Sequence, residues 1–389
     1  LDKEIEMSWM REYVEKSDCG LTVLQTSGDA VKTILFCEEQ FLKGKNVRPQ
    51  FPGRNVGMMF GLESSLHPFI GHPSYREIAD LPLSERVKIM KDPAFKEKLL
   101  NEKPNFASEI EKSMNEQGNT KSQEEIKEAA NLGLKLISNY DTQFILGDPP
   151  NYEPGKEDSI AALAKSKGIA ELEVIYDEFL KNEGTNLVYA CFTPYDNHKL
   201  DFVERAYSLK SSVAGGSDGG AHCGLICDAS MPTTNLSHWA RDREAGKKIP
   251  IELIVRKQTK DTAETYGLFD RGEIKTGMLA DLNIIDFEKL NVTHPKMVYD
   301  LPLGGRRLIQ TSSGYLATVK SGEVVYEAGE ATGVLPGKLI RGKQTCEVKT
   351  EKERVPFIDR TLRLMSVKAF KLLWNFRKSS VKTTVVSDD

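Results

Sequence analysis

The stretch SVAGGSDGGAH (212–222) carries the most direct potential for chemistry in the chain. Its short apolar start reads as a strand, and Asp218 follows that strand in a turn of glycines. In parallel α/β proteins active sites form at the carboxyl ends of strands. Glycines leave room there for a ligand, and a carboxylate can bind a metal or take up a proton. The bland alternative is an Asp that caps the next helix or steadies the turn. His222, four residues on, can orient a substrate carbonyl or simply hydrogen-bond within its loop. Arg54 in QFPGR offers a fork that holds a carboxylate through two bonds; an ordinary surface arginine is the rival reading. His67 and His72 flank PFIG in a loop. His238, Trp239, Arg241 and Arg243 read as one helix, where packing and salt bridges are the usual use.

The elements that must position these residues alternate along the chain. Helix-like runs at 4–16 and 32–44 enclose a strand-like LTVLQT (21–26), and NVRPQF (46–51) reads as a strand ending at a proline. This alternation predicts parallel βα units. Residues 61–100 read as loop then helix, punctuated by Pro68, Pro73, Pro82 and Pro93. Residues 104–135 hold EIEKSMNEQGNTKSQEEIKE, a solvated helix or surface insertion. Helices follow at 159–168 and 171–182, then the apolar strand NLVYACF (186–192), a helix at 199–209, the Asp218 strand, and one strong helix at 252–268. From Gly272 the helical period fades into β-rich runs cut by Gly and Asp, a small antiparallel module.

The 389 residues carry 53 Lys and Arg against 57 Asp and Glu, a balance that gives no electrostatic reason to propose nucleic acid. No apolar run approaches the ~20 residues of a membrane span. The six cysteines are scattered, and Cys223 and Cys227 have no second pair nearby to complete a zinc finger, so reduced thiols are expected. Sequons at Asn235 and Asn291 are short enough to arise by chance. A start at Leu1 inside an amphipathic helix leads to the expectation of a fragment, a processed product or an incomplete gene model. With no signal peptide at the start, a cytoplasmic location is expected by default.

Downstream of Asp218 come the helix ELIVRKQTKDTAETYGL and then DRGEIKTGMLADLNIID, which holds Gly272, Ile274, Gly277, Ala280 and Asp281 in the pattern G-x-I-x-x-G-x-x-A-D. With VRPQFPGR, HPSYREIADLPLSERV, GDPPNYEPG, HWARDREAGKKIP, YDLPLGGRRLIQTSSGY and EATGVLPGKLIRG, this order resembles the D-aminoacylase branch of the amidohydrolase superfamily, the N-acyl-D-amino-acid deacylases, over about residues 5–342. The resemblance implies an α/β fold: a (β/α)8 TIM-type barrel, of which this chain would hold the second half, plus a small β-sandwich. It implies zinc as cofactor, with Asp218 contacting the metal and shuttling a proton from bound water to the leaving amine of a small-molecule amide.

The sequence also departs from that family. Its six histidines (His67, His72, His198, His222, His238 and His294) include no His-x-His pair, the family's opening metal ligands. Gln50, at the end of the NVRPQ strand, stands where better-known relatives carry a ligand His, which points to fewer metals or to contact with substrate. Relatives hold the substrate carboxylate with an Arg in the loop after the last strand, and CGLICDASMPTT has none. Alternatives are therefore a cyclic-amide hydrolase of the same superfamily, or a non-catalytic binding or scaffold relative. The expected domains are barrel (1–271, with the polar insertion near 104–135), β-sandwich portion (272–342) and a basic tail (343–389). In the tail, Ile358, Leu362, Met365, Ala369, Leu373 and Phe376 would share one helical face, predicting a basic amphipathic helix over 358–378 for membrane or protein contact.

Overall fold

The computed structural model describes residues 3–25, 31–106, 122–220 and 222–344. The tail helix expected over 358–378, and residues 107–121 of the polar insertion, lie outside them. The chain divides into one compact unit of Leu1–Gln258 with Asn291–Ser313, and another of Thr259–Leu290 with Gly314 onward. No helix among the described residues is long and apolar enough to cross a membrane.

The first unit begins with strands β1 (Leu21–Leu24), β2 (Val47–Pro52), β3 (Val56–Phe60), β4 (Gln143–Ile145), β5 (Val188–Thr193) and β6 (Val213–Gly215). β1, β2 and β6 form a parallel sheet in the order β1-β2-β6. Helix Lys3–Lys16 presents Met7, Met10 and Val14 at helical spacing, and they bury with Phe36, Cys37 and Val47 against this sheet. β1 pairs with residues 47–50 of β2 and β6 with residues 50–52, so Gln50 alone meets both neighbours, Leu24 and Val213. Each edge uses a different half of β2, which is how a central strand tolerates Pro49 and Pro52.

The remaining strands correct the expectation of parallel units throughout. β5 is the buried apolar run foreseen, but it pairs antiparallel with both β3 and β4. A continuous apolar run signals burial on two faces and carries no information on strand direction. Only Gly53–Asn55 separate β2 from β3, too short for a crossover helix. One face of this sheet sends Met58, Phe60, Val188 and Ala190 into the main core. There they meet Val87 and Met90 of helix Leu83–Met90, and Val174, Tyr176 and Phe179 of helix Glu171–Phe179. The opposite face carries buried Tyr189 and Cys191 toward the candidate site. The helices start as their sequences direct: Asp92 and Ser159 accept from backbone N–H groups as N-caps, and Gly168 closes its helix with φ +67°.

Beyond these come β7 (Leu282–Ile285), β8 (Asn291–Val292), β9 (Lys296–Leu301), β10 (Gly305–Ile309), β11 (Ser312–Ser313), β12 (Tyr315–Lys320), β13 (Glu323–Glu327) and β14 (Glu330–Ala331). The β9–β10 and β8–β11 pairs belong to the first unit, tied by Leu308 N–H donating to Cys223 at 2.7 Å. Among the described residues the second unit has one antiparallel sheet, β14-β13-β12-β7. Its motif residue Asp281 accepts from Lys320 Nζ at 2.9 Å and from Ser321 N–H at 2.8 Å, pinning the turn after β12. The helix expected over 252–268 is broken at Thr259 into Ile251–Gln258 and Lys260–Thr265. Parallel strands number three among the described residues and close no ring.

Candidate functional site

The carboxyl ends of β2 and β6 lie side by side, as their register requires. Two glycines permit the approach. A Cβ on Gly215 would sit 3.1 Å from Gln50 Cδ, and Gly216, at φ +79°, leaves only 3.3 Å to Pro52 Cβ. The loop then runs through Asp218 at φ +29°, Gly220 at φ +95° and His222 at φ +46°. Positive φ at two non-glycine residues is a strained backbone of the kind found at functional loops. Asp218 and His222 are both exposed, and neither side chain hydrogen-bonds or ion-pairs with a described residue. Gln50 is half-buried inside the sheet.

Arg54 is placed differently from its expected role. It is fully buried, and its carboxylate is internal: Nη2 lies 3.0 Å from Asp228 Oδ1. The same guanidinium donates to the Cys227 carbonyl at 3.0 Å, the Asn55 carbonyl at 3.2 Å and the Tyr189 hydroxyl at 3.3 Å, and stacks 3.7 Å from the Tyr152 ring. A charge taken out of water needs this degree of pairing, and none of the fork is left facing solvent for a substrate. Burial pushes the Asp228 carboxyl up, opposed by Arg54, while the charge of Asp218 nearby pushes it further up. Burial alone would lower Arg54, but the surrounding groups outweigh it and hold the cation charged. Asp218 thus stands within electrostatic reach of this buried pair.

A second buried network holds the β2 end from the other side. Glu153 accepts from Arg243 Nε at 3.0 Å and bonds His238 Nε2 at 2.7 Å, and Arg243 also reaches Glu204 at 2.5 Å. Burial would raise Glu153, and the bonds from His238 and Arg243 overcome it and leave it below the usual carboxylate range. Arg243 lies 4.3 Å over the Trp239 ring, whose indole N–H donates to Gly53 at 2.6 Å. His238, Trp239 and Arg243 therefore do the packing and pairing that their place on one helical stretch suggests. Arg241 instead pairs with Asp242 at 2.6 Å. His67 and His72 are buried, 2% exposed each.

Sequence reasoning missed Asp228, Tyr152, Tyr189 and Glu153. Signals existed: Tyr152 and Glu153 lie within GDPPNYEPG and Asp228 within CGLICDASMPTT, both singled out on other grounds. Nothing in one chain says that residue 54 meets residue 228. Among the described residues no three of His, Cys, Asp and Glu come together as a metal requires. Near Asp218 the other carboxylate, Asp228, is already engaged by Arg54. The donor set expected for zinc does not fit the residues present, and no step is assigned to a metal. Cys19, Cys37, Cys191, Cys223 and Cys227 are free thiols.

Residues 151–326 match the amidohydrolase family model Amidohydro_3, in accord with the resemblance read from the motifs. Among solved structures the chain is similar to a D-aminoacylase described as defining a novel subset of amidohydrolases, at 15% identity and TM-score 0.36, over 82% of this chain and 48% of that one. It is similar also to N-acyl-D-glutamate deacylase from Bordetella bronchiseptica complexed with zinc and a phosphonate inhibitor, at 15% identity and TM-score 0.36, over 84% of this chain and 50% of that one. The chain spans about half the length of the solved structures it matches. A comparison with curated proteins found no match.

Proposed function

We propose, on the premise that residues 151–326 are amidohydrolase-family sequence, that this chain serves the hydrolysis of an amide bond in a small molecule, of the N-acyl-amino-acid type. The observation that carries the reading is Asp218: an exposed carboxylate with no partner among the described residues, on a strained glycine loop at the carboxyl end of a parallel strand. Such a group can take a proton from the attacking water and deliver it to the leaving nitrogen, which would otherwise depart as a poor amide anion. His222, exposed in the same loop, and Gln50, at the strand end beside it, are proposed to contact the substrate; Arg54 serves by bracing the loop through Asp228. The fold proposed with this function is part of a (β/α)8 barrel, with β1, β2 and β6 among its parallel strands.

A panel of N-acetyl amino acids of both hands, with a cyclic amide for comparison, tests the reading in the full-length protein. Asp218→Asn is expected to lower turnover at least ~10²-fold, the usual size of general acid–base catalysis. Turnover within a few-fold of the parent would remove Asp218 from the chemistry. The rival reading, a non-catalytic binding protein, is favoured by the missing three-ligand group among the described residues. Turnover separates the two: hydrolysis of any amide in the panel supports the hydrolase, and binding without hydrolysis supports the binding protein.

A further inference from the structure

Apart from the Asp218 loop, a cavity of about 540 Å³ opens beside the segment that follows β3. Buried Ser64, His67, Tyr75 and Arg86 line it together with exposed Arg306 of β10. Arg86 is the anomaly. It is 7% exposed, yet it pairs with no carboxylate among the described residues. Its Nη1 donates to the Leu62 carbonyl at 2.6 Å and to the Tyr75 hydroxyl at 2.9 Å, while its Nε is buried without a partner. A buried guanidinium without a counter-ion carries a desolvation cost that neutral acceptors only partly offset.

The neighbouring groups present the same demand. Ser64 Oγ, in a residue 3% exposed, is also buried without a partner. His67 Nδ1 accepts the Phe69 N–H at 3.3 Å, so the neutral ring carries its proton on Nε2 and can donate it. Arg306 has no ion-pair partner among the described residues, and its field reaches His67 and Tyr75 together with that of Arg86. Two carboxylates, Glu77 and Asp80, line the cavity beside Arg76, and no carboxylate among the described residues ion-pairs with Arg86 or Arg306. Glu63 accepts the Tyr299 hydroxyl at 2.7 Å, Glu102 holds Ser74 at 2.8 Å, Glu77 faces Lys98 at 4.0 Å, and Glu77 and Asp80 are exposed.

We propose that this cavity binds a small ligand through an oxyanion, a carboxylate or a phosphate group. Arg86 and Arg306 supply the charge, and Ser64 and His67 donate to the remaining oxygens. A forked guanidinium beside single donors suits a planar or tetrahedral anion, which would fill the place of the missing counter-ion. The site is independent of amide hydrolysis and stands whatever Asp218→Asn does.

Titration calorimetry and thermal unfolding of the full chain test it, with inorganic phosphate and acetate as probes against chloride at matched ionic strength. At least one oxyanion is expected to bind saturably and raise the melting temperature beyond chloride; the one effective at lower concentration identifies the ligand class. Arg306→Ala, at an exposed position, is expected to weaken that binding about tenfold with the fold intact by circular dichroism, and Ser64→Ala to weaken it several-fold. The proposal is overturned if neither anion acts beyond chloride, or if binding is unchanged in both variants.

Discussion

Asp228→Asn removes the negative half of the Arg54 pair while keeping the shape of the side chain. The two side chains are 0% and 2% exposed, so water does not screen the loss. Breaking a buried pair by deleting one partner costs about 3–5 kcal/mol, because the remaining charge is left uncompensated. Asparagine keeps one oxygen that can accept from Nη2, which recovers about 1 kcal/mol. The Tyr152 ring at 3.7 Å and the Cys227 carbonyl remain in place. The expected loss is therefore about 2–4 kcal/mol, or roughly 5–15 °C in melting temperature at about 2–4 °C per kcal/mol. Urea unfolding followed by the fluorescence of fully buried Trp239 reads it in the unit that contains the pair. The double variant Arg54→Met with Asp228→Leu removes both charges and is expected to be more stable than Asp228→Asn alone. The reasoning is refuted if Asp228→Asn stays within ~0.5 kcal/mol of the parent, or if the double variant is no better than the single, since shape and not charge would then govern the site.

Burial, followed by the fields of Arg86 and Arg306, pushes His67 down to about 3. An unfolded His titrates near ~6.5, so between those values the unfolded state holds a proton that the folded state refuses. Stability should therefore fall as pH drops through that window, by up to ~1.4 kcal/mol per pH unit, and His67→Gln should flatten the slope; an unchanged profile would exclude His67 as its source. Asp281→Ala should destabilise the second unit by about 1 kcal/mol through loss of the Ser321 N–H and Lys320 bonds, seen as a lower unfolding midpoint for that unit. Glu153→Gln should weaken the first unit and, because the folded carboxyl is held low, remove stability that is present above the unfolded pKa and lost as pH falls through the folded one; denaturant midpoints at acid and neutral pH measure it. The basic amphipathic pattern read from the sequence over 358–378 predicts flotation with anionic vesicles at low salt that disappears when 345–389 is deleted; no flotation of the intact chain would remove membrane contact as the use of that segment.

Local pattern determined a great deal here. Met7, Met10 and Val14 place one helix face, NVRPQF and NLVYACF are strands, and the glycines around residue 218 mark a turn, because each of these signals acts over a few residues. The motif from Gly272 to Asp281 announced a family match that an independent comparison repeats over 151–326. Tertiary structure alone decided the rest. It turned β5 antiparallel, since burial fixes which side chains are apolar and not the direction of their strand. It returned residues 291–313 to the first unit and broke the helix at Thr259. Above all it took Arg54, chemically fit to clasp a substrate, and gave it Asp228 instead. Pairing of charges depends on distance through space, and a partner 174 positions away in the chain leaves no periodicity for the sequence to display.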